Sequence, residues 1–293
     1  MRVIEVPASL DYRNVEVLYR QCGADDAGPV LFDARRLSWI DPNGMLLLLA
    51  AGKVAARSGT LPRISLPAQQ EVTEYLDRMG FHHAAAGIFK SGVRRRRRSH
   101  SVSDVLLEIT PVTTNSDVHD VVDRVQSRAG AILSNTLHYP PSAVVRFSVI
   151  LSEVCQNVIE HAEAPGWVAA QAYNWRKRLG RHVAVIAVSD LGCGFRASLE
   201  AEHAARFGDR WGDATALEAA FLLGLTRFAD TGRGQGIQQI RKQVGRWHGI
   251  LSIRSGTARI ADTPDWSSRP PLEEGLTRFP GSQINIILPE RIG

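Results

Sequence analysis

An acid, an amide and an imidazole stand four residues apart in the segment SEVCQNVIEHA, residues 152–162. They are Glu153, Asn157 and His161, and steps of four keep them on one face of a helix. A carboxylate can orient or deprotonate a nucleophile. An amide oxygen can bind Mg²⁺, which needs only one or two protein ligands beside its waters. A solvated helix face remains the plainer interpretation of this helix taken alone.

The trio borders an apolar stripe that predicts how the helix is buried. The stripe consists of Phe147, Leu151, Val154, Val158 and Ala162. Apolar residues at this spacing form one buried face of a helix. The three polar residues are therefore expected at the edge of a core, where a ligand site can form.

A second segment, VAVIAVSDLGCGF, ends an apolar run in a carboxylate followed by glycines. Asp190 ends the predicted strand, and Gly192 and Gly194 follow it. A carboxylate at a buried strand end can accept a hydrogen bond from an exocyclic amine such as that of adenine. The glycines also fit a dinucleotide-binding GxGxxA pattern, but the next 20 residues are not predicted to form the helix and second strand which that fold requires.

A third segment, DTGRGQGIQQI, opens a predicted helix with glycines. Gly232, Gly234 and Gly236 carry no Cβ, so their amides can approach an anion at the positive end of the helix. Arg233 lies among them and either contacts phosphate or faces solvent. A tight loop is the alternative interpretation. The sequence has no GxxxxGK[ST] motif, which excludes a P-loop.

Strands and helices alternate in the first 90 residues. Strands are predicted at 3–6 and 29–34, and helices at 11–21, 43–57 and 68–79. This βαβα order predicts a small sheet flanked by helices. Within the second of these helices, the run MLLLLAA at residues 45–51 indicates a buried helix turn.

For the second half, the sequence predicts a mixed sheet with helices on one face. Residues 192–231 have mixed character, and residues 263–275 are predicted to form a surface insertion. The predicted strands are 105–109, 167–175, 182–189, 250–254 and 283–288; the helices are 117–136, 142–162 and 234–247.

Length, charge and cysteine usage set the broad class. A chain of 293 residues favours two domains. No apolar run reaches the roughly 20 residues of a membrane span, and the N-terminus has no signal-peptide pattern. Three scattered cysteines indicate a reducing compartment, so we expect a cytoplasmic protein without a transmembrane segment.

The net charge of +5 is local. Five arginines, Arg94 to Arg98, form one run, and the rest of the chain is formally neutral. A solvated linker is the favoured interpretation of such a block. Contact with nucleic acid, a lipid headgroup or an acidic partner stays open as the alternative.

Together, the three segments of residues 105–293 resemble the GHKL (histidine-kinase-like) ATPase domain, and within it the anti-sigma-factor serine-kinase branch. ExxxNxxxH at residues 153–161 is similar to the N box, DLGCG to the G1 box and GRGQG to the G2 box. PGSQINIILP is similar to the closing strand of the family. The resemblance implies an α/β sandwich of the Bergerat ATP-binding type, with ATP and Mg²⁺ as cofactors.

The resemblance also implies roles for the matched residues. Asn157 binds Mg²⁺, Asp190 reads adenine, Ser282 helps to hold the adenine through water, and Glu153 is the general base. The glycines flank a mobile lid over the phosphates. His161 closes the N box, although a histidine near a helix C-terminus can equally interact with the last carbonyls.

Residues 1–92 resemble a STAS domain, the fold of anti-anti-sigma factors and of lipid-transport accessory subunits. The segment LFDARRLSWIDPNGMLLLLAAGKVAARSG carries the strand, the turn and the helix. Regulated members have a phosphorylatable serine before the turn glycine, whereas Pro42 and Asn43 precede Gly44 here. Neither residue has a hydroxyl, so we expect no phosphorylation at this turn.

The expected architecture is therefore two-domain, α/β followed by α+β. A STAS-like regulatory domain with a small mixed sheet (1–92) precedes a basic linker (93–104) and a GHKL sandwich (105–293). The resemblance implies a bacterial ATP-dependent switch, a serine/threonine kinase that phosphorylates or sequesters a partner such as a STAS or sigma-like protein, with a homodimer possible. The alternatives are an ATP-gated interaction module without kinase activity, and an adaptor that binds RNA or membrane through the arginine run.

Overall fold

The computed structural model describes residues 1–22, 28–90, 106–112, 118–162, 164, 166–226 and 236–291. The side chains of residues 118–122, 125, 157–162, 177 and 178 are outside this description. The arginine run and the whole of the predicted linker, 93–104, also lie outside the described residues. None of the described helices is both long and apolar enough to cross a membrane.

The first 90 residues form a small parallel sheet. Strands β1 (Arg2–Glu5), β3 (Val30–Asp33) and β5 (Arg63–Ser65) pair in the order β1-β3-β5. Two short strands, β2 (Ser9–Leu10) and β4 (Trp39–Ile40), form a separate parallel pair. The predicted small sheet is confirmed, but the prediction that it is mixed is wrong. Long connections, each containing a helix, return each strand in the same direction, which makes the pairing parallel.

Four helices accompany this sheet: α1 (Val15–Cys22), α2 (Pro42–Ala55), α3 (Gln70–Arg78) and α4 (Phe81–Ala84). The start of α2 is fixed locally, because the Asp41 side chain accepts a 2.7 Å hydrogen bond from the Gly44 amide and Pro42 occupies the first turn. Every residue of α2 from Pro42 to Gly52 is buried. A helix that is apolar all round must be covered on several sides.

The second half builds one sheet of seven strands: β6 (Leu106–Val112), β7 (Gly166–Asn174), β8 (His182–Asp190), β9 (Ile250–Gly256), β10 (Ala258–Asp262), β11 (Leu272–Glu273) and β12 (Phe279–Pro289). Their order across the sheet is β11-β10-β9-β12-β8-β7-β6. Every pairing between these described strands is antiparallel. The prediction that this sheet is mixed is therefore wrong. Hairpins join β7 to β8 and β9 to β10, and β12 then fills the place between β8 and β9.

Helices cover one face of this sheet. They are α5 (Val118–Ala131), which continues as a π-helical turn (Ile132–Thr136), α6 (Pro141–Ala162), α8 (Gly194–Phe207), α9 (Asp213–Phe221) and α10 (Gly236–Arg246); a short α7 (Arg176–Leu179) lies in the β7–β8 hairpin. Ala184, Ile186 and Val188 of β8 face this layer, and their alternate neighbours face the other side. The five strands and three helices predicted for this half are all present.

The structure changes the prediction for residues 192–231, of which 192–226 are described. Two helices, α8 and α9, form there, and the sequence did not predict them. Only Leu199 of α8 is fully buried, and this left no apolar stripe for the sequence to show. Another helix, α9, follows α8 in place of a strand, and the βαβ unit of a dinucleotide-binding fold is therefore not formed.

The first 90 residues cover the opposite face of the seven-stranded sheet. Helix α2 packs on β8 and β7, and one continuous apolar cluster includes residues of both halves, among them Leu47, Ala169 and Ala187. Helices were predicted on one face only, so the structure corrects this expectation as well. A sheet with apolar residues on both faces has to be covered twice.

The predicted surface insertion at 263–275 is partly built into the fold. Strand β11 pairs with β10 inside this segment. The Arg269 guanidinium lies 5.0 Å from the centre of the Tyr12 ring, and it donates a hydrogen bond to the Arg13 carbonyl. The insertion therefore joins the outer edge of the large sheet to the first 90 residues.

Candidate functional site

Asp190 ends β8 and lies at the centre of a compact polar cluster. Its side chain is only 5% exposed, and its Oδ1 accepts a 2.8 Å hydrogen bond from the Gly192 amide. The backbone and the side chain of Ser282 also hydrogen-bond to this carboxylate. The structure thus brings together three residues that the sequence predicted from two separate segments, Asp190 and Gly192 from one and Ser282 from the other.

The carboxylate of Asp190 is held in an environment that disfavours its charge. Burial raises its pKa from 3.8 to about 6, and the hydrogen bonds from Gly192 and Ser282 oppose that increase. At neutral pH the group therefore remains largely ionised and can accept a hydrogen bond. Among the described residues, the hydrogen-bond donors to this carboxylate, Gly192 and Ser282, are uncharged. A buried carboxylate in such surroundings can bind a polar, uncharged ligand group that donates a further hydrogen bond.

Gly281 permits the close approach that forms this cluster. Its φ is +74°, and a Cβ at this position would lie 2.1 Å from the Asp190 carbonyl oxygen. No residue with a side chain fits here without movement of the backbone. The sequence pattern indicated a role for the neighbouring Ser282 and none for Gly281.

A second contact joins Gly194 to the same strand. The Ser255 hydroxyl donates a 3.0 Å hydrogen bond to the Gly281 carbonyl and accepts one of 3.1 Å from the Phe195 amide. A Cβ on Gly194, whose φ is +74°, would lie 2.6 Å from that hydroxyl oxygen. Gly194 is thus required for the packing of the α8 start against β9 and β12. Ser255 carried no motif that sequence analysis could have used.

Helix α6 places the first predicted trio. Glu153 is exposed, whereas Val154 and Cys155 beside it are buried. Asn157 and His161 lie on the same helix, one and two turns further on, and their side chains are outside the described part of the chain. The helical spacing of the trio is confirmed, and the predicted contacts of Asn157 and His161 stay predictions.

The third predicted segment is described only at its end. Gly236 is the buried first residue of α10, which packs against α6. Gly232, Arg233 and Gly234 lie outside the described residues. Both helices belong to the helix-covered face of the sheet, the face toward which alternation along β8 also directs Asp190.

The Pro42–Asn43 turn of the first 90 residues lies far from Asp190. The Trp39 ring, two residues before Asp41, contacts the Tyr173 ring at 5.2 Å. Tyr173 pairs with Val183, seven residues along β8 from Asp190. At about 3.3 Å per residue this separation is roughly 23 Å. The Pro42–Asn43 turn and Asp190 thus lie near opposite ends and on opposite faces of the large sheet.

Comparison of the sequence with models of known protein families gives no match, and no curated protein matches it either. The structure defines a mixed α/β protein with a seven-stranded antiparallel sheet. The predicted site residues that the structure brings together are Asp190, Gly192 and Ser282, with Gly281 close against Asp190.

Proposed function

We propose that the chain is an ATP- and Mg²⁺-binding regulatory switch with a GHKL-type second half and a STAS-like first half. The observation that carries the proposal is the buried Asp190 carboxylate, tied to Gly192 and Ser282. Asp190 ends strand β8, and helix α6, which carries Glu153 and Asn157, packs on that strand. The proposed location is the cytoplasm.

The adenine base of the nucleotide is proposed to bind at Asp190. An ionised carboxylate can accept the hydrogen bond of an adenine amine but cannot donate one to the carbonyl of guanine. Ser282 holds the carboxylate in place and can add a water-mediated contact to the base. This arrangement favours adenine nucleotides over guanine nucleotides.

The phosphate end is proposed between α6 and the start of α10. The backbone amides of the segment that ends in Gly236, together with Arg233, are proposed to bind phosphate oxygens. The Asn157 amide is proposed as the protein ligand of Mg²⁺, whose role when bound is to neutralise phosphate charge. His161 is proposed to contribute to the α6 side of the phosphate site.

The proposed enzymatic activity is that of a serine/threonine kinase, with the exposed carboxylate of Glu153 as the general base. Glu153 would take the proton from an incoming hydroxyl, and its exposure on α6 leaves it accessible to a partner. The acceptor must belong to another molecule, because the Pro42–Asn43 turn has no hydroxyl and lies far from Asp190. A STAS-like or sigma-like protein is the proposed partner, and a homodimer is compatible with the same chemistry.

The second candidate function is an ATP-gated interaction module without phosphoryl transfer. The covering of the large sheet by the first 90 residues supports it, because nucleotide binding near Asp190 can change that interface through the shared strands β8, β9 and β12. Binding of RNA or membrane through Arg94–Arg98 is the third and least supported candidate.

Calorimetry on the full chain tests the nucleotide site. ATP and ADP should bind with Mg²⁺, and GTP should bind at least tenfold more weakly, because guanine presents a carbonyl to Asp190. Absence of binding at millimolar ATP, or equal affinity for GTP, would contradict the site. Incubation with γ-labelled ATP and co-purified partners, with free phosphate and labelled protein measured separately, then distinguishes transfer from binding alone.

A further inference from the structure

A cavity of about 300 Å³ lies between the first 90 residues and the insertion of the second half. Tyr12, Arg13 and Trp39 contribute to it from the first half, and Trp175, Ser268 and Arg269 from the second. None of these residues belongs to the nucleotide site proposed above. The volume is at the lower end of the range found for small-molecule sites in proteins.

Aromatic rings are concentrated at this cavity. Three of the six tryptophans of the chain line it, Trp39, Trp175 and Trp266, together with Tyr12. Trp39 is 39% exposed even though its ring also contacts Tyr173. The indole N–H of Trp266 donates to the His248 carbonyl, which fixes the orientation of that ring. Rigid, partly exposed rings around one cavity favour a planar apolar ligand.

The charges at the cavity leave an excess of positive charge. The Asp11 carboxylate is occupied by Arg13, whose Nε approaches both of its oxygens at 3.0 and 3.1 Å. The carboxylate of Glu273 is shared between Arg259 and Arg269. Three guanidiniums thus share two carboxylates, and 41% of the Arg13 side chain stays exposed.

Asp41, which also lines the cavity, does not offset this charge. Its burial raises its pKa to about 8, so the carboxyl group holds its proton at neutral pH. The Arg269 pKa is lowered, first by burial and then by the charge of Arg259, which is the response of a cation that lacks sufficient negative charge nearby. An anionic ligand would supply that charge.

We propose that this cavity is a second ligand site, which binds a small planar aromatic acid. The aromatic ring lies against Trp39 and its neighbours, and the carboxylate meets Arg13 at the open side, next to Ser268. Because both halves of the chain line the cavity, a bound acid holds them together. The site is independent of ATP, and its test does not rely on the nucleotide-site proposal.

Three probes with one ring system test the class of ligand. They are 1-naphthoate, 1-naphthalenemethanol and 1-naphthylmethylamine, titrated into the full chain without nucleotide and followed by calorimetry and tryptophan fluorescence. The acid should bind at least tenfold more tightly than the neutral alcohol, and the amine most weakly, because one charge-assisted hydrogen bond corresponds to roughly this ratio. Preference for the amine or the alcohol, or no binding of the acid at millimolar concentration, would overturn the proposal.

Variants locate the binding. Ser268 is exposed, so Ser268→Glu and Ser268→Lys change the local charge without removing a packed side chain. The first should weaken naphthoate binding several-fold and the second should strengthen it. Trp39→Leu should weaken binding of both the acid and the alcohol, whereas Trp211→Leu, which alters a tryptophan outside the cavity lining, should not. If all four variants bind naphthoate with the affinity of the original chain, the site assignment is overturned.

Discussion

The carboxylate of Glu16 accepts a 2.6 Å hydrogen bond from Nε of Arg254, although 238 residues separate them. Both side chains are nearly enclosed, with 11% and 3% of their surface exposed. The Arg254 guanidinium also lies 4.9 Å from the centre of the Tyr19 ring, and Tyr19 stacks on Phe279 at 3.7 Å. The first half of the chain is therefore joined to β9 and β12, two strands that also carry Ser255 and Ser282.

Removal of one charge from this pair should destabilise the fold. Glu16→Gln leaves the Arg254 guanidinium buried without its carboxylate, which typically costs about 3–5 kcal/mol. Urea unfolding should show this loss, and Glu71→Gln, at an exposed glutamate, should leave the midpoint unchanged. The double variant Glu16→Leu with Arg254→Met should recover much of the loss, because a well-packed apolar pair replaces a buried ion pair at little cost. A Glu16→Gln variant as stable as the original chain would contradict the buried pair.

Gly281 should tolerate no side chain. Gly281→Ala forces alanine into a positive φ and brings its Cβ against the Asp190 carbonyl, for a combined loss of roughly 2–5 kcal/mol. Gly275→Ala is the matched control, since Gly275 has φ +69° but open space around its Cβ position. Gly275→Ala should lower the free energy of unfolding only by the cost of placing alanine at a positive φ, about 1–2 kcal/mol. Equal unfolding midpoints for the two variants would show that the close approach at Asp190 is not formed.

Asp190→Asn should weaken ATP binding. The amide keeps the shape of the carboxylate but presents a donor to the adenine amine, and such a buried mismatch costs about 1–3 kcal/mol, or roughly ten- to a hundredfold in affinity. In the original chain, affinity should also fall as the pH drops through about 6, where Asp190 becomes protonated. The asparagine variant should lack this step, while exposed Asp209→Asn should retain it. Calorimetry at pH 5 and pH 8 measures both effects.

Glu153→Gln should separate transfer from binding. The substitution keeps the size of the side chain and removes its basicity, so ATP affinity should stay near that of the original chain. If the chain is a kinase, label transfer to a recovered partner should fall by about 10²–10⁴-fold, the usual contribution of a general base. Exposed Glu200→Gln on α8 serves as the control. Undiminished transfer in Glu153→Gln would remove Glu153 from the chemistry.

Asp41 should make the fold less stable at high pH. Its pKa is about 8 in the folded chain against 3.8 in the unfolded chain, with Asp11 and Arg13 as its charged neighbours. The folded state therefore holds a proton that the unfolded state releases, and stability should decline as pH rises from about 4 through 8. Asp41→Asn keeps an N-cap acceptor and should flatten this decline between pH 5 and pH 9.

Asp33→Asn is the matched control for that measurement. The hydrogen bonds from Arg35 lower the Asp33 pKa to about 2, so its contribution is lost only as pH falls below about 4. The change in denaturation midpoint between pH 5 and pH 9 should therefore be the same in this variant as in the original chain. A pH dependence unaffected by Asp41→Asn would assign the decline to other groups.

The sequence by itself determined the local elements. The apolar spacing of α6, the β-branched run of β8 and the proline after Asp41 each act over a few residues, so their periods and caps could be identified without any tertiary contact. The family resemblance of the sequence also implied that Asp190, Gly192 and Ser282 belong to one site, and the structure brings these three together.

Only the tertiary structure decided how these elements combine. Antiparallel pairing of all seven strands depends on where β12 inserts, which no local period encodes. Helix α8 was missed because it buries little, and the second covered face of the sheet depends on contacts across more than 100 residues of sequence. The Glu16–Arg254 pair, the close approach of Gly281 to Asp190 and the aromatic cavity arise from the same long-range packing. Their residues are far apart in the sequence, and the free energy that joins them is gained only when the two halves of the chain meet.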